Sequence, residues 1–93
     1  MVIWSEVAKE DLSNIFQFIA LDSRIYALKV VDEIIALSEK LDAFPQAGKK
    51  VKEHRYEEIR EVSVYSYRLI YRVSNQGIHV VTILHMKRKQ PRF

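Results

Sequence analysis

The chain has no cysteine, two glycines, two prolines and one tryptophan in 93 residues. Without cysteine there is no disulfide framework, no thiolate metal site and no cysteine nucleophile. The three histidines are scattered rather than set at metal-ligand spacing, which leaves metal-free, cofactor-free chemistry or binding alone. There is no Gly-rich phosphate loop, no HExxH and no serine flanked by the glycines of a nucleophile elbow. No apolar run approaches the ~18 residues that cross a bilayer. Residues Met1 to Glu6 lack the basic and long apolar regions of a signal peptide, so the sequence predicts no membrane partner and a cytoplasmic location. What is present is 48% apolar and 29% charged, enough for one domain with a modest core across residues 1–93.

Charge is distributed unevenly. Residues 1–44 carry four Lys and Arg against eight Asp and Glu, a net of −4, while residues 45–93 carry eleven against four, a net of +7. Fields of that size steer oppositely charged partners, so the second half should meet something anionic, whether nucleic acid, an acidic protein or an acidic peptide.

Val2-Ile3-Trp4 is a short β-prone run, and Ser5 then offers an N-cap, with Glu6, Glu10 and Asp11 suiting the start of a helix dipole. Ala8, Leu12, Ile15, Phe16 and Ile19 form a helical stripe, which predicts a helix over about 6–20. Asp22-Ser23 supplies a turn and a second N-cap. A second stripe, Ala27, Val30, Val31, Ile34, Leu37 and Leu41, runs to Phe44 before Pro45. The two helices should lie side by side as a hairpin. Pro45-Gln46-Ala47-Gly48 punctuates the chain, and the basic segment 46–57, with Lys49, Lys50, Lys52, His54 and Arg55, reads as an exposed loop.

Beyond it the period changes to two, predicting strands at Ile59–Val64, Tyr67–Val73 and Ile78–Leu84, joined by tight turns at Tyr65-Ser66 and Asn75-Gln76-Gly77. The basic tail from His85 to Phe93 carries Pro91, which ends any strand. The expected fold is α+β in the order β-α-α-β-β-β, a helical hairpin packed on one face of a mostly antiparallel four-stranded sheet. The other face, the basic loop and the tail are the places to look for function.

Along the middle strand Tyr67, Leu69, Tyr71 and Val73 point to one face, and Arg68, Ile70 and Arg72 to the other. If Ser74 pairs with Gly77, Arg72 opposes His79 and Arg68 opposes Ile83, placing His79 and His85 beside the arginines. A bulge at Gly77 would reverse that. In the first register Arg60, Arg68, Arg72, His79 and His85 share one surface, with Lys87, Arg88 and Lys89 at its edge. Guanidinium forks suit phosphates, and a histidine could move a proton. Arginines on a solvated sheet face, however, are ordinary, and alternating Tyr67 and Tyr71, with Tyr56 and Tyr65 nearby, more often pack than stack on bases.

The layout then resembles the RelE/ParE superfamily of bacterial toxin–antitoxin toxins. The residues that carry the resemblance are Ala8…Asp11-Leu12…Ile15…Phe18-Ile19-Ala20, then Leu41…Phe44-Pro45…Gly48. They continue with Ile59-Arg60-Glu61-Val62, Tyr67-Arg68-Leu69-Ile70-Tyr71-Arg72-Val73 and Ile83-Leu84-His85…Arg88. The resemblance implies a growth inhibitor neutralised by a cognate acidic antitoxin, with which it would assemble as a hetero-oligomer. A RelE-like member would be a ribosome-dependent, metal-independent endoribonuclease cleaving mRNA through Arg68, Arg88 and His85. A ParE-like member would act by binding DNA gyrase, without catalysis. Arg68 matches the arginine of the nuclease Tyr-Arg-Leu motif and Arg88 the C-terminal one, whereas Arg60 matches only with one residue of slip. The chain ends in Phe93 where some nucleases place a tyrosine. His85 followed by Arg88, and the Arg60-Glu61 pair, are the ParE-like pattern, so the ParE-like branch is favoured. Target contacts are expected from Arg60, Arg68, Arg72, Lys87, Arg88 and Lys89. The antitoxin would lay apolar residues between hairpin and sheet and carboxylates on the basic face.

Overall fold

The computed structural model describes residues 1–54 and 57–87, with backbone alone at 52–54 and 57. Arg55, Tyr56 and the tail from Arg88 onward, including Lys89, lie outside the described residues. The elements are β1 (Val2–Trp4), α1 (Glu6–Ala20), α2 (Arg24–Ala43), β2 (Lys49–His54), β3 (Glu57–Val64), β4 (Tyr67–Ser74) and β5 (Gly77–His85). They build an α+β fold around a five-stranded mixed sheet in the order β1-β5-β4-β3-β2. β1 runs parallel to β5, and the remaining pairs are antiparallel.

Both helices start where the sequence places them. Ser5 Oγ accepts the Ala8 N–H at 3.0 Å and Ser23 Oγ accepts that of Tyr26 at 3.1 Å, which satisfies one otherwise orphaned donor at each helix start. The inward stripes are Ala8 and Ile15 on α1 and Ala27, Val30, Ile34 and Leu41 on α2. Ser38 joins the second stripe because its hydroxyl bonds back to the Ile35 carbonyl at 2.7 Å and is thereby paired in the core. The helices pack mainly on β5, and Tyr67, Leu69, Tyr71, Ile78, Val80 and Ile83 face them.

The fifth strand is the difference from the expected four. Residues 49–54 form β2 rather than a loop, pairing along β3 from Lys49↔Glu61 to His54↔Glu57 with an irregularity between Lys50 and Lys52. β2 is an edge strand, and lysines there discourage pairing with another chain. The same lysines hide its period from the sequence.

Three contacts tie the ends of these elements together. The fully buried Tyr71 hydroxyl accepts from the Gly48 N–H and donates to the Pro45 carbonyl, both at 2.8 Å, fixing the chain that leaves α2. A Cβ at Gly48 would stand 2.5 Å from that oxygen, so the close approach requires glycine. At the β4–β5 turn Gly77 has φ +119°, and its space is closed by the Met1 carbonyl, which accepts the Ile78 N–H at 3.0 Å.

Candidate functional site

The register of β4 against β5 decides which side chains meet. Ser74↔Gly77 and Arg72↔His79 pair as expected, but a shift between Ile70 and Tyr71 makes Val81 an extra residue, and beyond it Ile70 pairs with Thr82, Leu69 with Ile83, Arg68 with Leu84 and Tyr67 with His85. Arg68 therefore opposes Leu84, not Ile83. A bulge moves every later residue of the strand to the other face, so His85 turns toward the helices while Arg68 and Arg72 remain on the open side.

The start of α1 holds this bulge. Ser5 Oγ donates to the Val81 carbonyl at 2.7 Å, and the Ser5 N–H to the Val80 carbonyl at 3.0 Å. Nearly two turns later the Asp11 carboxylate accepts from the Thr82 hydroxyl and, at 3.1 Å, from the Ile83 N–H. β1 ends at Trp4, so α1 supplies the partners that a longer edge strand would have given.

The single basic surface expected from the sequence is consequently divided. Arg60 pairs with Tyr71 across the ladder and shares its helix-side face. Its side chain is 12% exposed, donates to the Gly48 carbonyl at 2.7 Å and meets Glu58 at 3.3 Å, so it braces the segment after α2. Glu58 also holds Lys50 at 3.6 Å. On the open face Arg68 faces Glu61 at 3.4 Å, and Arg72 lies across from His79, whose Nε2 is 3.1 Å from Ser74 Oγ. Arg60 and His85 are thus corrected from the open face to the helix side, because register rather than residue type sets direction.

His85 stands edge-on to the Tyr67 ring, with centroids 5.3 Å apart. Its Nδ1 accepts the Lys87 N–H at 3.2 Å, so in the neutral ring Nε2 carries the proton. That nitrogen is a donor, which suits binding an acceptor rather than removing a proton. His85, Lys87 and Tyr67 line a cavity of 440 Å³ with Asp11, Asn14, Ile15, Phe18 and Ile83. Its polar groups lie against an apolar wall, an arrangement fit to hold a polar or anionic group attached to an apolar body. Asp11, Asn14 and Phe18 were not singled out as site residues in the sequence. Their spacing of three and four does place them together on one flank of α1, and that was the available signal.

A second site lies at the turn between β3 and β4. Tyr65 has φ +55°, an unusual conformation for a bulky residue, and its ring meets Tyr26 of α2 edge-on at 6.1 Å. A hydrogen bond to Glu33, followed by burial, pushes its hydroxyl pKa up to about 12. The turn is thereby pinned to α2.

Among the described residues no three His, Asp or Glu side chains converge as a metal ion would require. No described helix is long and apolar enough to cross a membrane.

Comparison with known proteins agrees with this architecture. The family model for the ParE toxin of type II toxin–antitoxin system, parDE, matches residues 2–90. Among solved structures the chain is similar to one from a chromosomal ParDE toxin–antitoxin system of P. aeruginosa, with TM-score 0.74 and 21% identity over 92% of this chain and 95% of that one. It also resembles an archaeal RelE–RelB complex from Pyrococcus horikoshii OT3, with TM-score 0.55 and 16% identity over 95% of this chain and 96% of the other. No curated protein sequence matches.

Proposed function

Because the chain belongs to the ParE toxin family of type II toxin–antitoxin systems, we propose that it arrests growth by binding DNA gyrase, without cutting RNA, and that a cognate acidic antitoxin holds it inactive. The observation that supports binding over hydrolysis is the Val81 bulge. RNA cleavage through Arg68 and His85 would need both groups at one phosphate. They project from opposite faces of the sheet, and the hydrogen bond at Nδ1 makes His85 Nε2 a donor rather than a base.

The target then reads a shape with charge on both sides. Arg68 and Arg72 offer cations on the open face, and Lys87 offers one beside the His85 cavity. The antitoxin's acidic segment crosses the end of α2, between the helical hairpin and the sheet. Its apolar side chains enter the 630 Å³ crevice lined by Ala43, Phe44, Pro45, Ala47 and Val73, where Phe44 is 65% exposed. Its carboxylates lie toward Lys49 and Lys50 of the neighbouring strand, so affinity falls with added salt.

The test is expression in a bacterium with and without the antitoxin gene, scoring gyrase-dependent DNA breaks against truncated transcripts. Breaks that vanish in a gyrase mutant, with intact transcripts, are expected. Transcripts cut at ribosome-dependent positions and reduced by His85→Ala would replace this reading with the nuclease one.

A further inference from the structure

The His85 cavity contains a cation and a hydrogen-bond donor that the fold itself does not use. Among the described residues no carboxylate pairs with Lys87, and no group accepts the proton on His85 Nε2. Both are held in place. The Lys87 N–H on Nδ1 fixes the tautomer of the neutral ring and keeps residue 87 beside it, while the edge-on contact with Tyr67 fixes the ring's orientation. A donor set in advance loses little freedom when it takes a ligand. The wall contributed by α1 is apolar. Ile15 is nearly buried, but Phe18 is 64% exposed and stands outside the core cluster, so the fold leaves its ring in water at the cavity.

Charge decides what fits. Lys87 is the one cation among the lining residues and Asp11 the one acid. Asp11 Oδ2 is turned onto the Thr82 hydroxyl and the Ile83 N–H, so its charge is engaged at the edge of β5. A singly charged anion completes the site, with an oxygen on His85 Nε2 and its charge toward Lys87. A dianion would bring a second negative charge near Asp11 with no second cation to meet it. A purely apolar ligand would strip water from two donors and return no acceptor. The 440 Å³ of the cavity lies within the range of small-molecule sites.

We propose that this cavity binds a carboxylate carried on an apolar body, with Lys87 and His85 on the carboxylate and Phe18 and Ile15 on the body. A free small acid and the C-terminal end of a peptide share this chemistry. Binding is scored on the purified chain without gyrase, so its failure leaves the reading of growth arrest standing.

The test is an amide NMR titration of the full chain with hydrocinnamate at constant ionic strength, with thermal melts of every variant as a folding control. Saturable shifts are expected at residues 14–18 and 83–87, with a dissociation constant of roughly 0.3–3 mM for a ligand of this size. Hydrocinnamide, the same body without charge, should bind roughly tenfold more weakly, and phenethyl phosphate, a dianion, no better than the amide. Lys87→Met should raise the constant for the acid roughly five- to tenfold and leave that for the amide unchanged, and Lys87→Arg should keep the affinity of wild type. Phe18→Ser should weaken acid and amide alike. Acetyl-Gly-Gly-Phe with a free C-terminus separates the two sources: binding roughly tenfold tighter than hydrocinnamate identifies a peptide end, and equal or weaker binding a free acid. Absence of saturable shifts up to about 20 mM overturns the proposal. So does equal binding of acid and amide, tighter binding of phenethyl phosphate, or a Lys87→Met variant that binds the acid as wild type does.

Discussion

Replacing Asp11 with alanine removes the acceptor that closes the β5 edge after β1 has ended. The Thr82 hydroxyl and the Ile83 N–H both lose it, and Thr82 is only 1% exposed. A hydrogen bond to a charged group contributes about 1.5–3 kcal/mol, and the partial exposure of Asp11 argues for the lower end. Two such bonds give a loss of about 3 kcal/mol, or roughly 12–24 °C in Tm for a domain of this size. Asp11→Asn keeps an uncharged acceptor and should cost about 1 kcal/mol. Because both groups share one carboxylate, Asp11→Ala and Thr82→Val should be coupled. The double variant is expected to lose about 1 kcal/mol less than the sum of the two single changes. Urea unfolding followed by circular dichroism measures wild type and all four variants. Strict additivity, or an Asp11→Ala loss below about 0.5 kcal/mol, would refute the idea that α1 holds the bulge in place.

Tyr71→Phe should cost about 2–3 kcal/mol in urea unfolding, since it leaves the Gly48 N–H and the Pro45 carbonyl without their buried partner. Burial raises the Tyr71 pKa above its ordinary 10, so the folded state keeps the proton that the unfolded chain gives up. Stability from this group is complete below pH about 10 and falls as pH rises through the folded value, and a pH series of melts on wild type and Tyr71→Phe should show the variant with the shallower alkaline decline. Arg60→Ala should lower stability by about 2 kcal/mol, because its donors hold the Gly48 carbonyl and the partly buried Glu58. Arg68→Ala, removing a half-exposed pair with Glu61, should cost less than about 1 kcal/mol, and reversed magnitudes in the same assay would exchange the bracing and surface roles assigned to them.

The parts of the fold written in local chemistry were legible. Ser5 and Ser23 cap helices whose apolar stripes carry a 3.6-residue period, and the two-residue turns at 65–66 and 75–76 separate strands with alternating apolar residues. β2 was not legible, because an edge strand rich in lysine has no apolar face to reveal a period. The bulge was hidden for the opposite reason. Val80-Val81-Thr82-Ile83-Leu84 is nearly apolar throughout, so a slip of one residue exchanges one acceptable side chain for another. The candidate site depended on that slip. Arg68 and Arg72 were assigned their face correctly from β4 alone, whereas His85 was misplaced because its direction depends on a residue inserted four positions earlier. The turn at Tyr65 with its link to Glu33 is a tertiary contact, and no pattern of nearby residues encodes it.

The helices rest chiefly on β5 and β1, while β2 and the first half of β3 extend past them in a body 43 Å long and 21 Å thick. Mechanically this outer ribbon is a cantilever, clamped along β4 and braced at its root by Arg60 and Tyr71. Prising Lys49–His54 away from Glu57–Glu61 breaks ladder bonds without emptying the core, so it requires far less work than global unfolding. A ligand that grips the ribbon therefore pulls on the Pro45–Gly48 joint and, through it, on the far end of α2.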